Sequence, residues 1–292
     1  HTNMLANCAS LASLTLGSNT ALSSAALDTA ASRVSTKGSW YCADKDWRGS
    51  STNLDARYAA AGNSYGVLTY VWQDGVMGGR FASNDNCWWT FDASTGKLTI
   101  GADGGANKKV TEGAGGNGWG DGWQSGLPWV SVVPGGKITS VVTKGGILVA
   151  SPYSWFFNSP SGYSSGYCNY YINLASFDGS GMDVSAATNL AMMFDNCTSL
   201  TTVTGISGWD VSKATSLNSM FYGCTALTAL DISGWDMTST AARTSVPDHG
   251  NMLANCTSLT KLTVGEKTIL EGTGMVNPSS GSGGWEVTVA ST

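Results

Sequence analysis

Ser180-Gly-Met-Asp-Val-Ser-Ala-Ala-Thr-Asn-Leu-Ala-Met-Met-Phe-Asp-Asn-Cys197 aligns without a gap on Ser207-Gly-Trp-Asp-Val-Ser-Lys-Ala-Thr-Ser-Leu-Asn-Ser-Met-Phe-Tyr-Gly-Cys224, 27 positions later. A third copy opens at Ser233-Gly-Trp-Asp-Met237 and, after inserted residues through Pro247, resumes at Asn251-Met-Leu-Ala-Asn-Cys256. Within a copy, Leu190, Met193, Phe194 and Cys197 fall at i, i+3, i+4 and i+7, as do Leu217, Met220, Phe221 and Cys224. That spacing predicts one apolar face of a short helix. After each Cys the apolar residues come as Leu200, Val203, Ile206; Leu227, Leu230, Ile232; and Leu259, Leu262, Val264. The last two residues of each set alternate, Ile206 after an inserted Gly205, which predicts a short strand. Ser-Gly-Trp-Asp then supplies a turn, with Gly208 and Gly234 for backbone freedom and Asp210 and Asp236 to bond the backbone. One such copy cannot bury its own apolar face, whereas stacked copies can. The expected fold is therefore an α/β solenoid, leucine-rich-repeat-like, with short parallel strands on one side, short helices on the other, and small β modules at its flanks. Its repeat core is Leu190, Met193, Phe194, Cys197, Leu217, Met220, Phe221, Cys224, Trp209, Trp235, Met252 and Cys256.

A longer period encloses the short one. His1-Thr-Asn-Met-Leu-Ala-Asn-Cys8 returns as His249-Gly-Asn-Met-Leu-Ala-Asn-Cys256, 248 positions on, and Ser10–Gly17 is echoed by Ser258–Gly265. The echo predicts a window from a longer tandem array. Over 292 residues, only 12% are charged and the net charge is −5, with no acidic or basic block. That excludes an electrostatic footprint for nucleic acid, and no stretch approaches the about 20 apolar residues of a membrane span. Polarity must come from Ser, Thr, Asn and 38 Gly, a profile of extracellular β-rich proteins.

Of seven cysteines, Cys8, Cys197, Cys224 and Cys256 share one repeat position and read as buried thiols. Cys42 and Cys87 flank one segment and are the best disulfide candidates; Cys168 stands apart. The only histidines, His1 and His249, occupy equivalent positions, which argues for a role in loop structure rather than in a triad or zinc site, so no enzyme is expected. Asp178-Gly-Ser-Gly-Met-Asp183 has the look of a cation loop but lacks the oxygen count of a calcium motif; Asp183 aligns with Asp210 and Asp236, which favours a turn. No catalytic, cofactor-binding or metal residue is assigned. The loop Gly115–Trp129 gathers Trp119, Trp123 and Trp129 around Asp121, Asn117 and Gln124. Its rings either stack on sugar faces, with Asp121 bonding hydroxyls, or cap an open end of the repeat stack.

These motifs, Ser-Gly-Trp-Asp-[Val/Thr]-Ser followed by Met-Phe-x-x-Cys-x-x-Leu-x-x-Leu, resemble the BspA-type leucine-rich-repeat surface proteins of bacteria, closely over about Ile172–Gly265 and again over His1–Gly17. Trp89-Thr-Phe-Asp-Ala-Ser-Thr-Gly-Lys-Leu-Thr-Ile100 resembles the β-hairpin that opens such domains, and Trp40–Trp72 the small Trp/Tyr-rich module that follows them. Trp155-Phe-Phe-Asn158 departs from the pattern where Met-Phe-x-x-Cys would stand. The resemblance implies a large, modular, extracellular cell-surface protein linked to adhesion to host or matrix proteins, with no shared catalytic residues.

The expected organisation is a C-terminal coil and cap of a preceding repeat domain at 1–39, a small β module at 40–87, a β-hairpin and Gly/Trp-rich cap at 88–135, the solenoid at 136–275, and a linker with the start of a next β module, from Trp285, at 276–292. The expected function is a non-enzymatic surface stalk or fibre and adhesin, without cofactor. Its partners would be neighbouring modules of the same chain, copies of itself, or host or matrix proteins or glycans. Two alternatives stay open: a subunit of an extracellular filament, and a carbohydrate-binding surface module.

Overall fold

A computed structural model describes residues 5, 11, 13–22, 38–42, 47–49, 54, 57–59, 62, 66–74, 76–81, 84–104, 108–111, 127–130, 133–157, 171–238 and 247–276. The chain opens with a four-stranded antiparallel sheet of β1 (Ser13–Leu16), β2 (Gly38–Cys42), β3 (Trp47–Gly49) and β4 (Leu68–Asp74), in the order β1-β4-β2-β3. One face buries Leu16, Leu22, Trp40, Leu54, Leu68 and Tyr70 in a core of its own. Tyr58 meets Tyr70 edge-on, with centroids 5.9 Å apart and hydroxyls at 3.2 Å.

β5 (Val76–Phe81), β6 (Asn84–Asp92) and β7 (Lys97–Ala102) then form an antiparallel meander. The β6–β7 turn covers Ala93–Gly96, where Ser94 N–H and Oγ both donate to Asp92 Oδ1 and Gly96 takes φ 71°. Short strands follow: β8 (Lys109–Val110), β9 (Ser140–Lys144), β10 (Ile147–Val149), β11 (Ser176–Asp178), β12 (Met182–Asp183), β13 (Thr202–Thr204), β14 (Ala229–Ile232) and β15 (Lys261–Val264). The meander continues into a parallel ladder, giving the order β13-β11-β9-β7-β6-β5, while β12-β10-β8 and β14-β15 make separate parallel sheets. In the six-stranded sheet Leu98, Val141, Phe177 and Val203 share one inward row and are all buried. The pairings cross two of the expected domain boundaries: β1 joins the sheet of the 40–87 region, and β6 spans residues 87 and 88. The segment from Trp285 lies outside the described residues.

The expected α/β solenoid is not what forms. The strands fall into several sheets, and among the described residues of 136–275 no α-helix occurs; the helical backbone there is the 3-10 turn at Gly135–Lys137. The reason lies in where the backbone donors go. From Leu217 to Cys224 the N–H groups alternate between two destinations. Met220, Tyr222 and Cys224 donate three residues back, to Leu217, Ser219 and Phe221; Leu217, Ser219, Phe221 and Gly223 donate sideways, to Asp248, Gly250, Met252 and Ala254 of the next copy. The preceding copy does the same, with Leu190, Met192, Phe194 and Asn196 donating to Ser216, Asn218, Met220 and Tyr222. A helix would spend every one of these donors inside the copy. A succession of tight turns still brings Leu217, Met220, Phe221 and Cys224 to one side, so the apolar spacing is satisfied without a helix.

Each turn run needs a left-handed residue. Ser154, Met192, Ser219 and Asn251 carry φ of 55°, 56°, 53° and 55° at one repeat position. Ser154 N–H donates to Ala191 and Phe156 N–H to Met193, so Trp155–Phe156, which departs from the repeat in sequence, occupies the same place in the stack. The turns between copies pack closely: a Cβ on Gly234 would lie 2.1 Å from the Ser207 carbonyl oxygen. Gly234→Ala is therefore expected to force the copies apart and cost about 2 kcal/mol or more in urea denaturation, whereas Gly208→Ala, with nothing within 4 Å, leaves the midpoint nearly unchanged.

Candidate binding surface

The stack presents one row of side chains inward and others outward. Inward, Phe156, Phe194 and Phe221 lie face to face at 5.7 and 5.3 Å, tilted by 14° and 9°. Trp209 and Trp235 stack at 6.5 Å with a 2° tilt, and each indole N–H donates to a turn carbonyl of the preceding copy, Gly179 at 3.1 Å and Ile206 at 2.7 Å. Leu190, Met193, Cys197, Leu217, Met220, Cys224, Met252 and Cys256 are likewise buried. None of these residues is available to a ligand.

The repeat thiols do more than fill space. Cys197 Sγ donates to Phe156 O at 3.0 Å, Cys224 to Phe194 O at 3.2 Å and Cys256 to Phe221 O at 3.1 Å, a bond from each copy to the one before. Burial pushes all three thiols up, Cys256 to about 12 and Cys197 and Cys224 well above their ordinary range. A thiolate nucleophile or metal ligand is thus disfavoured at these positions. Native chain treated with iodoacetamide should leave the peptides bearing Cys197, Cys224 and Cys256 unlabelled, and Cys224→Ala, which leaves the Phe194 carbonyl with the Cys197 N–H alone, should cost about 1 kcal/mol. The disulfide expected between Cys42 and Cys87 does not form. Both are buried thiols, in two different cores, and Cys87 Sγ donates to Lys108 O at 3.2 Å. Cys8 and Cys168 lie outside the described residues.

Of the aromatic loop, Trp119, Asp121 and Trp123 lie outside the described residues, with Asn117 and Gln124. Trp129 is described and is fully buried. Its indole N–H donates to the Tyr171 hydroxyl at 3.1 Å, and its ring meets Phe81, Trp89 and Trp155 edge-on. Trp129 therefore packs the junction of meander and repeats and cannot stack on a sugar.

The acidic turns resolve in the same way. Asp178, Asp183, Asp210, Asp231 and Asp236 each accept the backbone N–H two residues on, from Ser180, Ser185, Ser212, Ser233 and Thr238. Among the described residues no three His, Cys, Asp or Glu side chains gather as metal ligands. Both ring nitrogens of His249 meet backbone carbonyls, Pro247 O at 2.6 Å and Glu271 O at 2.7 Å, which ties the inserted loop to the chain beyond the last copy. His1 lies outside the described residues. Two charged features gave no signal in the repeat pattern. Asp195 is buried beside Asn196, whose Nδ2 donates to its Oδ1 at 2.6 Å, and burial pushes its carboxyl up to about 7. Arg80 pairs with Asp103 at 2.7 Å under the meander.

Outward, the ladder shows side chains in register, most of them short and polar. Ser140, Ser176 and Thr202 make one row, and Val142, Asp178 and Thr204 a second. On the next sheet Ala229 stands beside Lys261, and Asp231 beside Thr263. Among the described residues the large apolar side chains left exposed are Val67, Ile172 and Val276, and none stands on this face. The face is broad, polar and held by a backbone bonded from copy to copy. No helix among the described residues is long and apolar enough to cross a membrane.

Neither the curated proteins nor the solved structures hold a match to this chain. Residues 169–265, the stretch that carries the stacked copies, match the model of a family described as Mycoplasma protein of unknown function, DUF285.

Proposed function

We propose that this chain is a non-enzymatic repeat protein of the bacterial cell surface that works through protein contacts on the outer face of its ladder. The observation that carries the reading is the pairing of a rigid interior with rows of Ser, Thr, Asp and Lys at fixed spacing. Side chains held on a laterally bonded backbone present contacts at little conformational cost. Low charge, abundant Gly, Ser and Thr, and the BspA-type likeness of the repeat motif support an extracellular setting and a matrix or host protein as partner. The copies repeat both within the 27-residue and the 248-residue periods, which supports an array in which weak contacts add by multivalency.

Binding of the full chain to immobilised extracellular-matrix proteins, measured beside a glycan array, tests this. Thr202→Arg with Thr204→Arg should reduce protein binding at least tenfold and leave the melting temperature within a few degrees. Binding that survives the double variant, or binding confined to glycans, contradicts the reading.

A further inference from the structure

Residues 13–22 and 261–270 are the same piece of structure in two settings. Ser13-Leu-Thr-Leu-Gly17 stands 248 positions before Lys261-Leu-Thr-Val-Gly265. In the first, Gly17 N–H donates to Thr20 Oγ1 at 3.1 Å and Thr20 N–H to Gly17 O at 3.0 Å. In the second, Gly265 N–H donates to Thr268 Oγ1 at 3.0 Å and Thr268 N–H to Gly265 O at 3.1 Å. The two settings differ in what lies alongside. β1 is paired antiparallel by β4, Ser13 to Val71 through Leu16 to Leu68, with Thr15 Oγ1 2.9 Å from Thr69 Oγ1. β15, among the described residues, is paired with β14 alone.

The open side of β15 can be located. Lys261 N–H donates to Thr228 O, toward β14. Donors alternate along a strand, so the N–H and C=O groups of Leu262 and Val264 face the other way. The apolar side chains report the same deficit. Leu16 and Leu22 are 4% and 1% exposed beneath Leu54, Tyr58, Leu68 and Tyr70. Their equivalents Val264 and Leu270 are half-buried, and so are Leu262 and Ile269 beside them. Leu22 N–H also donates to Tyr58 O at 2.7 Å, and Gly62 N–H to Ser18 O at 2.8 Å, so strand and loop are gripped together.

We propose that the outer edge of β15 is a joining edge that takes the β4 strand of a second unit of this chain. The pairing is antiparallel in the register of β1: Lys261 to Val71, Leu262 to Tyr70, Thr263 to Thr69 and Val264 to Leu68. The second unit's Leu54, Tyr58 and Tyr70 then cover Val264 and Leu270. The units join end to end, by strand addition, and the ladder of one unit runs into the antiparallel sheet of the next. This borrows from the proposed function only that units occur in series. Loss of matrix binding would leave the joint intact, and a failed joint would leave matrix binding untouched.

The test is a chain in which residues 1–264 are followed directly by residues 17–292, with Thr263→Cys in the first unit and Thr69→Cys in the second. Thr15→Cys with Thr69→Cys in the single chain is the positive control, and slow exchange of the Phe194 and Phe221 amides confirms folding in both. The proposal expects a disulfide between the two substituted positions of the double chain, in yield comparable to the control. It also expects the Leu262 and Val264 amides of the first unit to exchange at least about 100-fold more slowly than in the single chain. A folded double chain that cross-links poorly while the control succeeds, or whose Leu262 and Val264 amides exchange as fast as in the single chain, overturns it.

Discussion

Phe194→Ala is expected to be the most damaging single substitution in the repeat region. The ring is fully buried, lies flat between Phe156 and Phe221, and meets Phe177 at 4.8 Å. Truncation removes its transfer free energy and opens a cavity bounded by three other rings. Backbone bonds from Phe194 to Met220 and from Phe156 to Met193 hold the walls of that cavity in place and limit its collapse. The expected loss is about 3–5 kcal/mol in urea denaturation. Phe194→Leu, which keeps most of the volume, should lose about 1.5 kcal/mol. A Phe194→Leu variant as stable as the parent would mean that the stack contributes no more than any apolar filler.

Asp195→Asn is expected to stabilise the chain, and only above acidic pH. Burial holds the Asp195 carboxyl at about 7, against about 4 in an unfolded chain. The folded state therefore keeps a proton that the unfolded state has already released. Whatever stability the neutral carboxyl gives is fully present below pH 4 and is lost as pH rises toward 7, after which the loss is constant. Three pH units at about 1.4 kcal/mol each set a ceiling of roughly 4 kcal/mol on that loss. The amide carries no charge to bury and occupies nearly the same volume. Urea midpoints at pH 4 and pH 8 should coincide for variant and parent at the lower pH and separate at the higher one, with the variant the more stable. A variant less stable than its parent at pH 8 would show that the ionised carboxylate is held by a favourable contact.

How much of this was legible in the sequence can be judged residue by residue. The 27-residue period and the identity of the inward residues could be read directly, because burial follows from apolar spacing whatever the backbone does. The backbone itself could not. Leu217, Met220, Phe221 and Cys224 suit a helix face and a run of tight turns equally, and the choice rests on donors that find acceptors in the next copy. The left-handed positions gave a partial warning: Asn196, Gly223, Asn251 and Asn255 are residue types that favour that conformation, but Met192 and Ser219 stand where Gly or Asn would have signalled the turn. The parallel strands Thr202–Thr204 and Ala229–Ile232 were legible from alternation, but their division among separate sheets depends on turn geometry that alternation does not encode.

The candidate surface was less legible than the core. An aromatic cluster in a glycine-rich loop invites a ligand, yet Trp129 is consumed by packing against Phe81, Trp89 and Trp155. The repeated Cys looked like a small hydrophobe, and its bond to the preceding copy's Phe carbonyl is visible only once the copies are stacked. The outer rows of Ser, Thr and Asp carry no motif at all. Their meaning comes from register, which places Asp178 beside Thr204 and Asp231 beside Thr263.

The account rests on backbone donors that leave their own copy. Scalar coupling across hydrogen bonds, measured by NMR on deuterated chain, reports donor and acceptor directly. The structure predicts couplings from Phe221 N to the Met252 carbonyl carbon and from Phe194 N to that of Met220, with none from Phe221 to Leu217. Coupling from Phe221 N to the Leu217 carbonyl carbon, four residues back, would restore the helix and contradict the stacked-turn architecture.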